Sequence, residues 1–373
     1  MKRSASSAVG IAIVLAMISG LVYWLVGPDG SGPVPEPTPT VAKVIGTVGS
    51  EKKAFFDDPK VKEELRLQGL EVSAQSAGSW QMNDVKAGSA DFAFPASSPP
   101  ADAIQKANGI TGTPVRPFYS PLVVVAHRTT AEVLKSQGLA ARNAGNVWTL
   151  TMDTFIRTVV EGRKWEQIQP ENRPRELSGD IYLTTTDPDL SSSGALYIGM
   201  AAYLLNNKEV AQDEAAVQRI GPGLKAAFTR QGAMQTSTDQ PFTDFASNNG
   251  RPLVLAYESQ ALELVAKGAA PDDMVVLYPD TAVISDHSIV AFTDNGRKFA
   301  DVLLKNDRLR ELALQHGFRP AQSSSGESPF KAYVNKLNTT RPNTPFAFDP
   351  ALDQAKVVLP RQEILMSLIK ATK

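Results

Sequence analysis

The 373-residue chain has no cysteine, so a disulfide framework, a thiolate metal centre and a lipid-modified cysteine anchor are all excluded. Histidine is scarce: His127, His287 and His316 stand far apart in sequence, which argues against a zinc site. Charge of one sign is lacking too. Lys and Arg number 38 against 39 Asp and Glu, so no basic field points to nucleic acid. No G-x-S-x-G elbow is present, and Ser193, His287 and Asp280, which can be drawn as a triad, sit in contexts poor for nucleophilic catalysis. Asp187-x-Asp189-x-Ser191 begins like a calcium loop, but Ser192 stands where glycine belongs and Ile198 where the distal glutamate belongs. The expectation is a chain without enzymatic activity, cofactor or metal.

What is present begins at the N-terminus. After Lys2 and Arg3, Ala8 to Val26 is an uncharged run of nineteen residues ending near Tyr23 and Trp24. It is long enough to span a bilayer, and no convincing cleavage site follows it. Residues 1–27 therefore read as an uncleaved anchor, with a cleaved secretory signal as the alternative. The positive-inside rule puts everything after Gly27 outside the cytoplasm, on a single-pass anchor in the cell membrane. Gly27 to Thr40 holds five prolines and three glycines in fourteen residues, so residues 28–42 read as a semi-extended tether.

Beyond the tether the length suggests two or three folding units. Short apolar runs near 41–48, 70–74 and 90–95 each stop at a small or hydroxyl-bearing turn, Gly49-Ser50-Glu51, Ala77-Gly78-Ser79 and Ala96-Ser97-Ser98, before a helical pattern. That is a β-α-β alternation with polar groups at the carboxyl ends of strands, where open α/β sheets bind ligands. The runs Leu122 to His127, Arg251 to Tyr257, Met274 to Tyr278 and Ser288 to Phe292 read as buried strands. Helices are expected near 54–68, 152–162, 194–205, 297–315 and 362–371, and an irregular surface tail over 321–348.

The densest stretch is Thr184 to Ser193, with eight oxygen-bearing side chains in ten positions, followed by the helical run from Gly194. A helix start has unpartnered N–H groups and partial positive charge, so this turn suits an anion or a carboxylate. The plainer reading is one serine as N-cap and the rest as solvated turn.

The two apolar strands near 122–127 and 288–292 split the segment into thirds, and the simplest architecture makes them hinge crossings. The first lobe is then 43–122 and 287–373, and the second 123–286. This two-lobe, doubly crossed α/β pattern resembles the type II periplasmic binding proteins. The ordered series SEKKAFFDDPKV, GLEVSAQSAGSW, DFAFPASS, FYSPLVV, TTDPDLSSSGALYIGMAAYLL, YESQALE, LYPDTAV, DHSIV and LALQHGFRP is similar to bacterial extracellular solute-binding proteins of ABC-transporter type with undefined ligand. The family pattern leads one to expect Arg and Asn where this chain has Trp80 and Ser192.

The resemblance implies a ligand held between lobes that close by hinge motion. Its contacts would be Ser50, Glu51, Gly78, Ser79, Ser97, Ser98 and Ser120 from the first lobe and its edge. From the second come Asp187, Ser191, Ser192, Ser193, Gly194, Tyr257 and Glu258. Hydroxyls and helix starts favour an oxyanion, whereas Glu51, Asp187 and Glu258 favour a solute with an amine. The expected partners are a small polar solute and a membrane transporter or sensor. A binding-protein fold that has lost its ligand and serves as an anchored interaction module is the alternative.

Overall fold

The computed structural model describes residues 41–169, 171–321, 328–341, 347 and 357–373. The expected anchor, residues 8–26, lies outside the described residues, and among those described no helix is long and apolar enough to cross a membrane.

The chain starts with β1 (Ala42–Val48), a 3₁₀ turn (Ser50–Lys52), α1 (Lys53–Asp57) and α2 (Pro59–Leu67). Then come β2 (Leu70–Ser76), a second 3₁₀ turn (Gln81–Asp84), β3 (Phe92–Phe94) and α3 (Ser98–Asn108). The single helix expected over 54–68 is two, because the Asp58 side chain accepts from Lys60 N and Pro59 takes the first helical position. β4 (Phe118–His127) is the long strand, followed by α4 (Arg128–Ser136), β5 (Ala140–Arg142), β6 (Trp148–Leu150), α5 (Met152–Val160) and α6 (Trp165–Ile168). The hydroxyl-rich turn leads into α7 (Ser192–Leu205), and α8 (Glu214–Thr229) and α9 (Asp239–Ala246) follow.

After β7 (Leu253–Tyr257) come α10 (Glu258–Lys267), β8 (Met274–Pro279), β9 (Ile284–Ser285) and β10 (Val290–Ala291). The chain ends with α11 (Asp294–Lys305), α12 (Asp307–Gln315), β11 (Arg319–Pro320), α13 (Pro329–Thr340) and α14 (Gln362–Lys370). The helix expected over 297–315 is also two, since the Asn306 side chain accepts from Leu309 N while its own N–H caps Val302 O. Within the expected irregular tail, α13 is a helix that buries Phe330, Val334 and Leu337.

Two sheets organise these elements. The smaller has the order β10-β3-β1-β2, with β1 parallel to β2 and β3 and only β10 antiparallel. The larger contains β11-β4-β8-β6-β5, with β7 and β9 also paired to β4. Alternation along β4 explains why it is apolar throughout. Leu122, Val124 and Ala126 enter one cluster with α5, α7, α8 and α14, while Val123 and Val125 enter another with α10 and α13. A third cluster, with Val44, Phe55, Phe94, Phe299 and Phe318, covers the smaller sheet.

β4 is where the lobes join. Its first residues pair with β11 and β9, and its later ones with β7 and β8. The chain leaves β9 on this strand and five residues later lies in the smaller sheet as β10. The closing helix α14 was expected with the first lobe. Instead Ile364, Leu365, Leu368 and Ile369 join the cluster of α7 and α8 on the larger sheet.

Candidate functional site

The 3₁₀ turn after β1 carries a buried ionic group. Lys52 is fully buried, its ammonium pairs with Glu51 Oε1, and it lies 3.0 Å from His287 Nδ1. His287 Nδ1 is itself 3.3 Å from Glu51 Oε1. The ammonium also sits 4.7 Å over the Phe94 ring. Burial would raise the Glu51 carboxyl, but Lys52 and His287 together hold it down to about 2. Burial and the neighbouring Lys52 push His287 down to about 4, so the ring is neutral at neutral pH. Nδ1 thus faces both Lys52 and Glu51, while Nε2 is a buried atom with no hydrogen-bond partner among the described residues.

A second group of hydroxyls joins elements of the two sheets. Ser97 Oγ, at the N-cap of α3, lies 2.8 Å from Ser192 Oγ in the first turn of α7, and both residues are buried. Ser79 Oγ accepts from Ala96 N at 3.1 Å, which ties the second strand end to the third. Ser193 Oγ is 2.7 Å from Thr186 Oγ1 and 2.9 Å from Ser191 Oγ. The Tyr257 hydroxyl interacts with Ser193 and with Ser285, and Ser285 Oγ donates to Ala96 O. Ser193 thus joins Thr186, Ser191, Tyr257 and, through Tyr257 and Ser285, the Ala96 carbonyl in one polar circuit, beside the Ser97–Ser192 pair. The N–H groups of Ser192, Ser193 and Gly194, at the start of α7, have no acceptor within the helix, and the Ser191 side chain does not cap them.

The backbones close up at the same place. Trp80 N donates to Leu190 O at 3.2 Å. Gly78 is required there, since a Cβ would lie 2.5 Å from Leu190 O. A Cβ on Gly194 would lie 2.4 Å from Thr186 O, so the hydroxyl-rich turn folds directly over the helix start. The Trp80 indole, where an Arg was expected from the resemblance, is 7% exposed and packs in the larger sheet's core cluster.

Ser50 and Glu51 reach the edge of this centre. They line a cleft of about 380 Å³ together with Asp57, Asp239, Gln260 and Glu263. Asp239, at the start of α9, accepts from Gln260 Nε2 at 3.2 Å and from the Ser50 side chain. Burial and the nearby Glu51 charge raise its pKa.

The other expected residues have different employment. The Ser98 N–H and hydroxyl both donate to Asp286, at 3.0 and 2.5 Å, and Arg116 completes that cluster. Ser120 Oγ accepts from Ser259 N at 3.0 Å at the strand where the lobes join. Asp187 Oδ1 accepts from Asp189 N at 2.9 Å, within the turn. Both Glu258 oxygens are taken up by Arg319, at 2.6 and 2.8 Å, with Tyr278 Oη at 2.5 Å. Glu258 is fully buried within that group.

Lys52, His287, Asp239, Thr186 and Ser285 were not foreseen as parts of one site. Only Lys52 had a local signal, as the neighbour of Glu51. The triad drawn through Ser193, His287 and Asp280 does not form: His287 faces Lys52 and Glu51, while Asp280 Oδ1 accepts from Met152 N. A separate cavity of about 290 Å³, lined by Arg128, Arg142 and Trp148 at the other end of β4, holds none of the expected residues.

Several solved structures share the fold. A periplasmic thiamin binding protein is 12% identical with a TM-score of 0.58, over 92% of this chain and 100% of that one. Iron-bound HitA from Pseudomonas aeruginosa is 13% identical with a TM-score of 0.54, over 89% of this chain and 99% of the other. The apo ferric ion-binding protein A of Pasteurella haemolytica is 9% identical with a TM-score of 0.52, over 89% and 98%. No curated protein matches this chain in sequence. The family pattern of the bacterial extracellular solute-binding protein matches residues 64–319, most of the chain, and the two-lobed architecture agrees with it: the chain belongs to the bacterial extracellular solute-binding proteins, which bind solutes and are not enzymes.

Proposed function

We propose that this protein captures a small polar solute between its lobes, outside the cytoplasm, and presents it to a membrane transporter or sensor while residues 8–26 anchor it to the membrane. The observation that carries the reading is the 2.8 Å contact between Ser97 and Ser192, which places the hydroxyls of two helix starts from opposite lobes at one buried point. Such a point forms only when the lobes are closed, and a solute that bonds both hydroxyls favours closure. The contacts are Ser50, Glu51, Ser79, Ser97, Ser192, Ser193 and Tyr257, with the backbone at Gly78 and Gly194. Residues 43–122 and 287–320 form the first lobe, and 123–286 with α14 the second.

Uncapped N–H groups at Ser192 to Gly194 and the hydroxyl circuit favour an oxyanion. A second reading has a specific basis as well. Glu51, kept ionised by Lys52, and Asp239 from the facing lobe line the open edge of the cleft and suit an amine-bearing solute. The fold neighbours carry chemically different cargoes, so the choice rests on this chain's own side chains.

Thermal unfolding of the full-length protein against oxyanions, amino acids, sugars, polyamines and divalent metals tests the proposal. A ligand of the folded state stabilises it by about 2.7 kcal/mol at a hundredfold excess over Kd. A raised midpoint identifies the solute class, and a panel without any shift moves the reading to an interaction module that has no small ligand.

A further inference from the structure

We propose that His316 is a proton-operated staple between the two lobes, holding them closed when doubly protonated and releasing them when it loses a proton. The observation is a bridge. His316 Nδ1 lies 2.8 Å from Glu263 Oε1 and Nε2 lies 3.0 Å from Asp58 Oδ2. Asp58 caps α2 and His316 follows α12, whose Leu309, Leu312 and Ala313 pack on the smaller sheet although Leu314 enters the α10 cluster, whereas Glu263 is on α10, whose Ala261, Leu262 and Val265 pack on the larger one. The same Glu263 lines the interlobe cleft with Ser50, Glu51 and Asp239. The staple therefore closes one side of the proposed solute site, and its role in capture rests on that reading.

The chemistry follows from the inventory of the ring. A neutral imidazole has one N–H, so one of the two carboxylates would face a lone pair. Only the imidazolium donates to both. Opening separates Glu263 from the ring but leaves Asp58 beside it, so the open form holds the proton less tightly and closure takes up a proton.

The surroundings bear on the sign. Lys60 faces Asp58 from α2, Lys267 pairs with Glu263 on α10, Glu311 comes from α12, and Tyr333 and Lys336 come from α13. Burial opposes the charged ring, yet Glu263 and Asp58 outweigh it and His316 is raised above 6.5. The Phe55 ring, T-shaped at 5.6 Å, fixes the imidazole plane. Closure is thus favoured at pH below the open form's value and weakens as pH rises through the higher value of the closed form.

The absence of native cysteine makes the test direct. Lys106→Cys on α3 and Lys225→Cys on α8 place spin labels at exposed positions on the two lobes of the full-length protein. Interlobe distances are then measured without solute between pH 5 and pH 9. The population at longer distance should grow at least twofold with pH, and His316→Gln, which cannot titrate, should give a flat profile. Glu263→Gln, a near-isosteric change at the facing partner, should flatten it too if the first variant folds poorly. A wild-type profile that is flat, or one that persists in both variants, overturns the staple. Because no solute is added, failure here leaves the capture reading standing, and failure of the solute panel leaves the staple standing.

Discussion

Ser97 and Ser192 lie 95 positions apart in the chain, belong to helices packed against different sheets, and bring their hydroxyl oxygens to 2.8 Å in a buried setting. Beside this pair the backbone before the second 3₁₀ turn touches the serine turn, through Trp80 N and Leu190 O. Lobe closure is therefore written into main-chain geometry as well as into side chains.

Gly78→Ala tests that geometry. The added Cβ would meet Leu190 O at 2.5 Å, a backbone atom of the facing lobe that cannot swing aside. Overpacking of this kind costs about 1–3 kcal/mol, and here the cost falls on the closed form. Solute affinity should drop roughly tenfold or more while the thermal midpoint of the solute-free protein stays within a few degrees. A large fall in the midpoint with unchanged affinity would count against the interlobe reading.

Stability should fall steeply on acidification. His287 has a folded value of about 4 against 6.5 unfolded, so above pH 6.5 neither state is protonated and its contribution is intact. As pH falls from 6.5 to 4 the unfolded chain takes up the proton first, a loss on the order of 3 kcal/mol. Glu51, lowered from 4.5 to about 2, adds a further loss between those values. Urea titrations from pH 7 to pH 3 measure this, and His287→Gln should remove the upper part of the slope. An unchanged slope in that variant would show that His287 is not the group responsible.

Glu258→Gln separates a hinge role from solute contact. Arg319, bonded through Nε and Nη2, would be left with an uncompensated buried charge, at a cost of about 3–5 kcal/mol. Guanidinium unfolding should report that loss, with solute affinity changed less than threefold wherever the variant is folded. Loss of affinity without loss of stability would return Glu258 to the binding residues.

Much of the fold was legible because it rests on local patterns. Leu122 to His127 is apolar at every position since each face of β4 meets a different core, and such a run reads as a buried strand from sequence alone. Two long helices were over-extended because Asp58 and Asn306, interior to periodic stretches, act as caps; Asp58-Pro59 was a readable signal, and Asn306 was less so. The site was legible at strand ends and at the serine turn. The facing partners were not, because Glu51 meets His287 and Asp239 only after two chain crossings, and nothing local at Thr238-Asp239 marks a cleft wall. Glu258 looked available because its partner, Arg319, lies 61 residues away.

The central claim is that solute is held by the hydroxyl circuit at the start of α7. Its most direct test is titration calorimetry of wild type and Ser193→Ala with whichever solute raises the thermal midpoint. Ser193 contacts Thr186 and Ser191, and its hydroxyl faces Tyr257, so its removal deletes one node of the circuit at small change in volume. A net hydrogen bond is worth about 0.5–1.5 kcal/mol, so the affinity should fall roughly three- to tenfold with the domain folded. Equal affinities for the two proteins would contradict the account and place the solute elsewhere.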